Sequence, residues 1–472
     1  MAHRKKWLIV FLVQNVVDVE EDTEFMESTM AELLELKADD SFAVAGCIST
    51  TVVTQSLAVE LDAVIQGKGR VFNFVVELRI GASKEDKRLH VLDQLPSGTG
   101  LDDPGAVTKI FQTIHNHFEY EHLVITTLDH GAGYSIFEEP GGPQEAVLSA
   151  ASPGVKLSER PLHSLSHLVK SGKLAKAKPQ KKSLTGKGIN PVVSLMRHSA
   201  KHAMPSGITV DQLREAIRAT FGKADVIFMR NCFMQMFDTG CTLCDVTSFL
   251  VTFESLMWFP AYNYVTWLRA MQASGDSLTS EQVARFAIRG LTKTKMPKVF
   301  RDDTALFGND LSYYPAINDC MNVMIRELID YVKGHKGKLM ECRRKVINIA
   351  ARRNPHARYQ LVDAQLWFEK AGKLLSTNEE YQKALERFLV LKVKSIDRRR
   401  FVGKKDSQPG YRESGFSLYF PTTLADIGMF GSFYSLYYSA ESRTLSRFTR
   451  FSLWPDFIAF LFLDIKPCLL KE

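Results

Sequence analysis

The chain is 472 residues long and lacks several features that would place it in a class at once. No apolar run is long enough to span a bilayer as a helix: residues 457–465 fall short of the roughly 20 residues that requires. The basic start His3-Arg4-Lys5-Lys6 and the apolar run 7–13 are not followed by a small-residue cleavage site. The chain turns acidic from Asn15 to Glu24 instead, so the run reads as a first buried strand rather than a signal peptide. There is no disulfide framework: the seven cysteines are odd in number and several lie in apolar runs, which points to a reducing, cytoplasmic setting. Cys241 and Cys244 have metal-ligand spacing, but no second pair answers them, so no metal site is expected there. Gly186-Lys187-Gly188 lacks the upstream glycine and the following hydroxyl residue of a phosphate loop. A formal net charge of +7 is too small at this length to argue for nucleic acid.

What the chain does have is a rhythm. Unalternated apolar runs recur at 7–13, 42–48, 71–78, 123–128, 225–229, 248–253 and 416–420, as expected of strands buried on both faces. Helical patterns lie between them at 25–36, 104–118 and 209–221. Asp102-Asp103-Pro104 opens the second; Thr209 caps the third and Gly222 closes it. Such alternation predicts an α/β fold with a mostly parallel sheet. From about Ser277 the patterns are mainly helical, at 281–291, 317–331, 339–351 and, with breaks, 361–391. The expected organisation is a first core part over 1–139, an insertion over 140–206, a second core part over 207–276, and a largely helical region over 277–472 carrying a strand at 415–421. The insertion is rich in Pro, Gly and Ser, then basic, with seven lysines from Lys170 to Lys187 opposed by Glu145 and Glu159. A connection of that length is a functional loop or a segment that does not order itself.

Two of the apolar runs stop on reactive side chains. One ends Leu128-Asp129-His130-Gly131; the other ends Met229-Arg230-Asn231-Cys232. In open parallel sheets the ends of like-directed strands share one rim, and ligands sit in the crevice there. Neighbouring strands ending this way put a thiol beside an imidazole, the minimum apparatus for nucleophilic acyl transfer. Gly131 lets a backbone N–H approach a substrate carbonyl, and with the N–H of Cys232 it supplies a donor pair for an oxyanion. Other candidates are weaker. His115, His117 and His122 look ligand-like, but residues two apart on a helix do not face each other. The basic cluster from Lys392 to Lys405 reads as a solvated helix end and loop, because aromatic interleaving is thin.

The motifs resemble those of the clostripain-type cysteine peptidases, which have the caspase-like fold. The family's His motif stands here as Asp129-His130-Gly131-Ala132-Gly133-Tyr134, and its Asp-Pro turn as Asp103-Pro104. The Cys motif stands as Cys232-Phe233-Met234-Gln235-Met236-Phe237-Asp238. The Ser-Glu-Glu segment is echoed by Val251 to Ser255, the Phe-Pro strand by Gly415 to Pro421, and the terminal Trp-x-x-Phe helix by Trp454 to Phe457. The resemblance covers nearly the whole chain. It implies a caspase-like α/β fold, a protein or peptide substrate, Cys232 as nucleophile and His130 as acid/base. It also implies an oxyanion hole at Gly131 and Cys232, and substrate contacts from Asp129, Arg230, Glu254 and Ser255. Calcium is the one cofactor it suggests.

Two departures bear on specificity. Members that cut after Arg or Lys carry an Asp where this chain has Arg230, and an acidic residue where it has Ser255. A guanidinium in that pocket favours carboxylates and repels Arg or Lys, so an acidic or uncharged residue is expected on the acyl side. The expectation is a cytoplasmic endopeptidase made as a zymogen. It would be cut within 140–206 by itself or by an upstream protease, and act in a stress or anti-phage death response. Two other readings compete. A non-catalytic scaffold of the same fold predicts no labelling by thiol-reactive peptide probes, and a nucleic-acid-associated protein using the basic loop predicts a salt-dependent affinity for DNA or RNA.

Overall fold

The computed structural model describes residues 4–15, 33, 36, 39, 41–50, 72–81, 88–96, 99–129, 135–136, 207–254, 262–292, 304–335, 338–351, 361–400, 415–420 and 447–462. Most of the helical pattern at 25–36 and the whole insertion at 140–206 fall outside these residues, as do His130, Gly131 and Ser255.

The strands are β1 (Lys5–Asn15), β2 (Phe42–Thr50), β3 (Phe72–Leu78), β4 (Leu89–Leu95), β5 (Tyr120–Leu128), β6 (Ser135–Ile136), β7 (Ile208–Thr209), β8 (Ala224–Arg230), β9 (Thr247–Phe253), β10 (Ala305–Asp310), β11 (Leu361–Asp363), β12 (Ile396–Arg400) and β13 (Ser417–Tyr419). Nine form one sheet in the order β12-β10-β9-β8-β5-β1-β2-β3-β4. Its centre, β9-β8-β5-β1-β2, is parallel throughout. Antiparallel neighbours close both edges. The parallel centre follows from composition: every residue of Trp7–Leu12 and Val226–Arg230 is buried, which requires cover on both faces. β2 packs closely on β1 at Gly46, where a Cβ would collide with the Phe11 carbonyl.

The helices are α1 (Pro104–His117), α2 (Val210–Thr220), α3 (Phe237–Leu243), α4 (Tyr264–Ser274), α5 (Ser280–Arg289), α6 (Tyr314–Gly334), α7 (Leu339–Ala351), α8 (Ala364–Gly372), α9 (Glu379–Ser395), α10 (Arg447–Phe451) and α11 (Trp454–Phe462). The start signals act as the sequence predicts. Asp103 accepts from Gly105 N at 2.8 Å, and Thr209 forms a reciprocal capping box with Gln212. Gly222, at φ +72°, provides the left-handed turn after α2. The face of the sheet bearing Phe11 and Phe228 meets Tyr262, Tyr264 and Trp267 at and within α4.

The region after 277 is not a separate helical unit. β10 and β12 extend the main sheet, and β11 pairs with β13. The basic residues Arg398, Arg399 and Arg400 belong to edge strand β12 rather than to a loop. The small sheet sits against the loop after β8 through a bridge from Met236 to Ser417. Phe237 of α3 stacks on Tyr314 at 5.0 Å and meets Phe416 edge-on at 5.3 Å, and Gly240 leaves room for the Tyr314 ring. Trp367 and Trp454 close the C-terminal core, with Trp454 Nε1 donating to Tyr419 O at 2.9 Å. Among the described residues no helix is long and apolar enough to cross a membrane.

Candidate active site

The strands that carry the predicted site are neighbours. Leu128 of β5 pairs with Arg230 of β8, and Met229 of β8 pairs with Thr252 of β9. Asp129, Cys232 and Glu254 therefore leave three adjacent parallel strands at the same rim. This is the crevice position where ligands bind in such sheets. The register closes on the two central strands through Asn231. Its Nδ2 donates to the carbonyl oxygen of Asp129 at 3.1 Å, and its Oδ1 accepts from the Thr127 hydroxyl. The residue before Cys232 is thus tied to the residue before His130. On the other side, Gln14 at the end of β1 donates to the Asp129 carboxylate at 2.9 Å and accepts from Leu101 N at 3.2 Å. Three strand ends and the approach to α1 share one buried polar network.

Cys232 itself is only 6% exposed. It sits at the turn where the chain leaves β8. The next residue, Phe233, is the one described non-glycine residue with a positive φ, at 59°. A bulky residue held there costs about 1–2 kcal/mol, and such strain persists where surrounding contacts over-determine it. Those contacts come from Gln235. Its side chain exchanges hydrogen bonds with Asn309 and accepts from the Thr252 hydroxyl, and its backbone bonds to Phe253 O at 3.0 Å and from Ser417 N at 3.1 Å. Strands β9, β10 and β13 around it fix the turn that presents the thiol.

Among the described residues, the other thiols lie wholly or partly in the core. Burial pushes Cys47, Cys241 and Cys244 up from the ordinary thiol range. A raised thiol carries less of the thiolate that attacks a carbonyl. Cys244 donates to the Cys241 carbonyl at 3.3 Å within its own turn.

Arg230 is fully buried, with its guanidinium over the rings of Tyr264 at 5.0 Å and Tyr262 at 5.4 Å. Asp225, at the far end of β8, is engaged elsewhere, by His122 at 3.1 Å, Leu123 N at 2.9 Å and Ser280 at 2.8 Å. Glu254 is buried and accepts from the Ser417 hydroxyl at 3.3 Å. The structure therefore gathers Asp129, Arg230, Cys232 and Glu254 at one rim. It adds Gln14, Asn231, Gln235, Tyr262 and Tyr264, which sequence reasoning missed. Gln14 and Asn231 left a signal, since each is a polar residue just where an apolar strand run ends. The two tyrosines left none, because an aromatic pair before a helix reads as ordinary core.

A nine-stranded, mostly parallel sheet with antiparallel edges, flanked by helices and followed by a helix-rich half, is the caspase-like architecture that the motifs implied. No protein-family model matches the chain, and no curated protein does. Among solved structures it is similar to an inactive zymogen of a C11 protease from Parabacteroides distasonis, with 10% identity, a TM-score of 0.50, and coverage of 96% of this chain and 99% of that one. A secreted C11 cysteine protease from Bacteroides thetaiotaomicron, solved with an irreversible peptide inhibitor, is also similar, with 10% identity, a TM-score of 0.48, and coverage of 88% of this chain and 92% of that one. The likeness is one of fold.

Proposed function

We propose that this chain is a cysteine endopeptidase of the clostripain type, with Cys232 as nucleophile and His130 as acid/base. The observation that carries the reading is the clamp between the ends of β5 and β8. The Asn231 side chain, one residue before Cys232, bonds the backbone carbonyl one residue before His130. An activated thiol needs an imidazole within hydrogen-bond reach, and the clamp joins the chain one residue before each of the two. The thiolate of Cys232 attacks the scissile carbonyl, and the oxyanion is held by the backbone N–H groups of Cys232 and Gly131. His130 protonates the leaving amine, and water then releases the acyl group with His130 as base.

Arg230 has no exposed surface, so its part in specificity is exercised by its charge behind the pocket wall rather than by contact. Asp129 and Glu254 line the same rim, and Ser255 follows Glu254 directly. The guanidinium adds repulsion toward a basic side chain, set against the attraction of those two carboxylates. The preference is therefore for an acidic or uncharged residue on the acyl side. The burial of Cys232 supports a latent form, because a peptide carbonyl must reach the sulfur. Cutting within 140–206, by the chain itself or by an upstream protease, is the proposed release. Calcium dependence enters as a test with and without chelator.

The deciding experiment is a peptide-library assay of the wild-type chain, Cys232→Ala and His130→Ala, each intact and nicked within 140–206. Cleavage by the nicked wild-type chain alone, after acidic or uncharged residues, supports the whole reading. Cleavage dominated by Arg or Lys removes the role of Arg230. Activity that survives Cys232→Ala removes the mechanism.

A further inference from the structure

We propose that Glu77, His90 and His117 form a binding site for a divalent transition-metal ion, with zinc the best match. The three residues come from separate elements: Glu77 from β3, His90 from β4 and His117 from the last position of α1. Glu77 and His90 stand directly opposite each other in the antiparallel register. One donor atom from each of the three lies within 4.8 Å of the other two. His90 Nδ1 is already 3.4 Å from a Glu77 carboxylate oxygen, and the His90 and His117 rings are 6.2 Å apart between centroids. Donors around a tetrahedral zinc at its usual bond lengths are about 3.4 Å apart. Side-chain rotation of two accessible imidazoles closes the remaining ångström or so.

The donor set selects the ion. Two imidazoles and one carboxylate suit zinc, nickel or copper; calcium and magnesium prefer oxygen ligands throughout. The position favours a cation independently, because His117 ends α1, where the helix dipole is negative. Helix spacing argues against His115 and His117 as a ligand pair, but it says nothing about partners brought in by the sheet. The Arg79 Nε, 3.7 Å from the same Glu77 oxygen, is the group a metal displaces, and an exposed pair of that kind is held weakly. The site lies where β3 ends, β4 begins and α1 ends, so it is at the opposite rim from Cys232. Its role is to staple edge strand β4 to the crossover helix, with no part in catalysis.

The test uses the full-length chain carrying Cys232→Ala, so that zinc held by the reactive thiol is not counted. Zinc alone is titrated against a chromophoric chelator, with the melting temperature followed in parallel. The expected result is one zinc per chain and a rise in melting temperature. Losing a group that merely orients a metal ligand costs roughly 10–100-fold in affinity, so His90→Ala and His117→Ala should each cost at least that. His115→Ala, two residues away on the same helix, should cost nothing, and calcium should not compete with zinc for this site. Circular dichroism establishes that the variants fold. Zinc affinity unchanged in the His90→Ala/His117→Ala double variant, or lost equally in His115→Ala, overturns the proposal.

Discussion

The two rims of the parallel sheet treat polar groups in opposite ways. At the rim where β1, β5, β8 and β9 end, Gln14, Asp129, Arg230, Asn231 and Glu254 are each at most 6% exposed. At the rim where β4, β5 and β8 begin, the paired side chains stay wet: His90 and Glu77 keep 45% and 27% exposure, and His122 and Asp225 keep 37% and 25%. A buried polar group costs roughly 1–3 kcal/mol unless it is hydrogen-bonded, and a buried charge costs more. The same strands thus carry that burden at one end only. Stability alone gives no reason to bury a guanidinium, two carboxylates and two amides together. Burial with shared hydrogen bonds does give a fixed geometry, which is what a reacting centre needs. The strain at Phe233 falls at the same rim.

If that contrast is one between a reacting rim and a supporting rim, variants at the first should move activity and variants at the second should move stability. The largest effect belongs to the dyad. Cys232→Ala and His130→Ala should each lower kcat/KM on the order of 10⁴-fold or more, and the double variant should be no worse, because the two groups act as a unit. Cys47→Ala should retain activity; steady-state kinetics on one peptide compares all four.

Asn231→Ala comes next. It removes both hydrogen bonds that hold the β5 and β8 ends in register. A misplacement of about 1 Å costs roughly 100-fold, so kcat should fall by about that factor while KM stays nearly constant. Asn231→Asp keeps the acceptor for Thr127 but not the donor to Asp129 O, and should fall between. A rise in KM with unchanged kcat would mean that Asn231 serves the substrate rather than the register. Arg230→Gln is smaller in effect. Relief of like-charge repulsion, which costs several kcal/mol when desolvated, should raise cleavage after Lys relative to Glu by at least about tenfold. A library profile of the variant checks it.

The smallest effect is on the supporting side, at Asp245, just before β9. Burial raises its carboxyl, but the Arg214 hydrogen bond and charge, helped by Arg447 and Arg218, outweigh this and hold it at about 2. A carboxyl held below its unfolded value stabilises the fold above the unfolded pKa, near 4, and loses that contribution as pH falls toward 2. Asp245→Asn should therefore be less stable than wild type by about 1 kcal/mol near pH 7, after allowance for solvent screening. The two chains should converge in melting temperature only below about pH 2. Peptidase activity at neutral pH should be unchanged.

How much of this was legible in the sequence depended on burial. The strands at the centre of the sheet announce themselves as unbroken apolar runs, because helices cover both faces, and β1, β2, β3, β5, β8 and β9 fall within a few residues of the expected runs. The strands missed lie toward the edges. β4 reads LHVLDQL and β12 reads IDRRR. One side of an edge strand meets water and tolerates charge, so its pattern imitates a loop or a helix end. β10, with a glycine inside it, was hidden by its helical neighbours. At the site, Cys232 could be placed from where an apolar run stops, and Arg230, Asp129 and Glu254 from the resemblance of the motifs around those strand ends. Gln235 and Asn309 could not. Their pairing spans 74 residues and depends on where β10 joins the sheet, which nothing local encodes.

The central claim, that Cys232 is a nucleophile aimed at peptide carbonyls, is tested most directly by intact-mass measurement. The wild-type chain, whole and nicked within 140–206, is exposed to a peptidyl acyloxymethyl ketone beside Cys232→Ala. The account predicts one adduct on the nicked wild-type chain, mapped to Cys232, and none on the variant. An adduct mapped to another cysteine, equal labelling of Cys232→Ala, or no adduct on either form of the wild-type chain would contradict it.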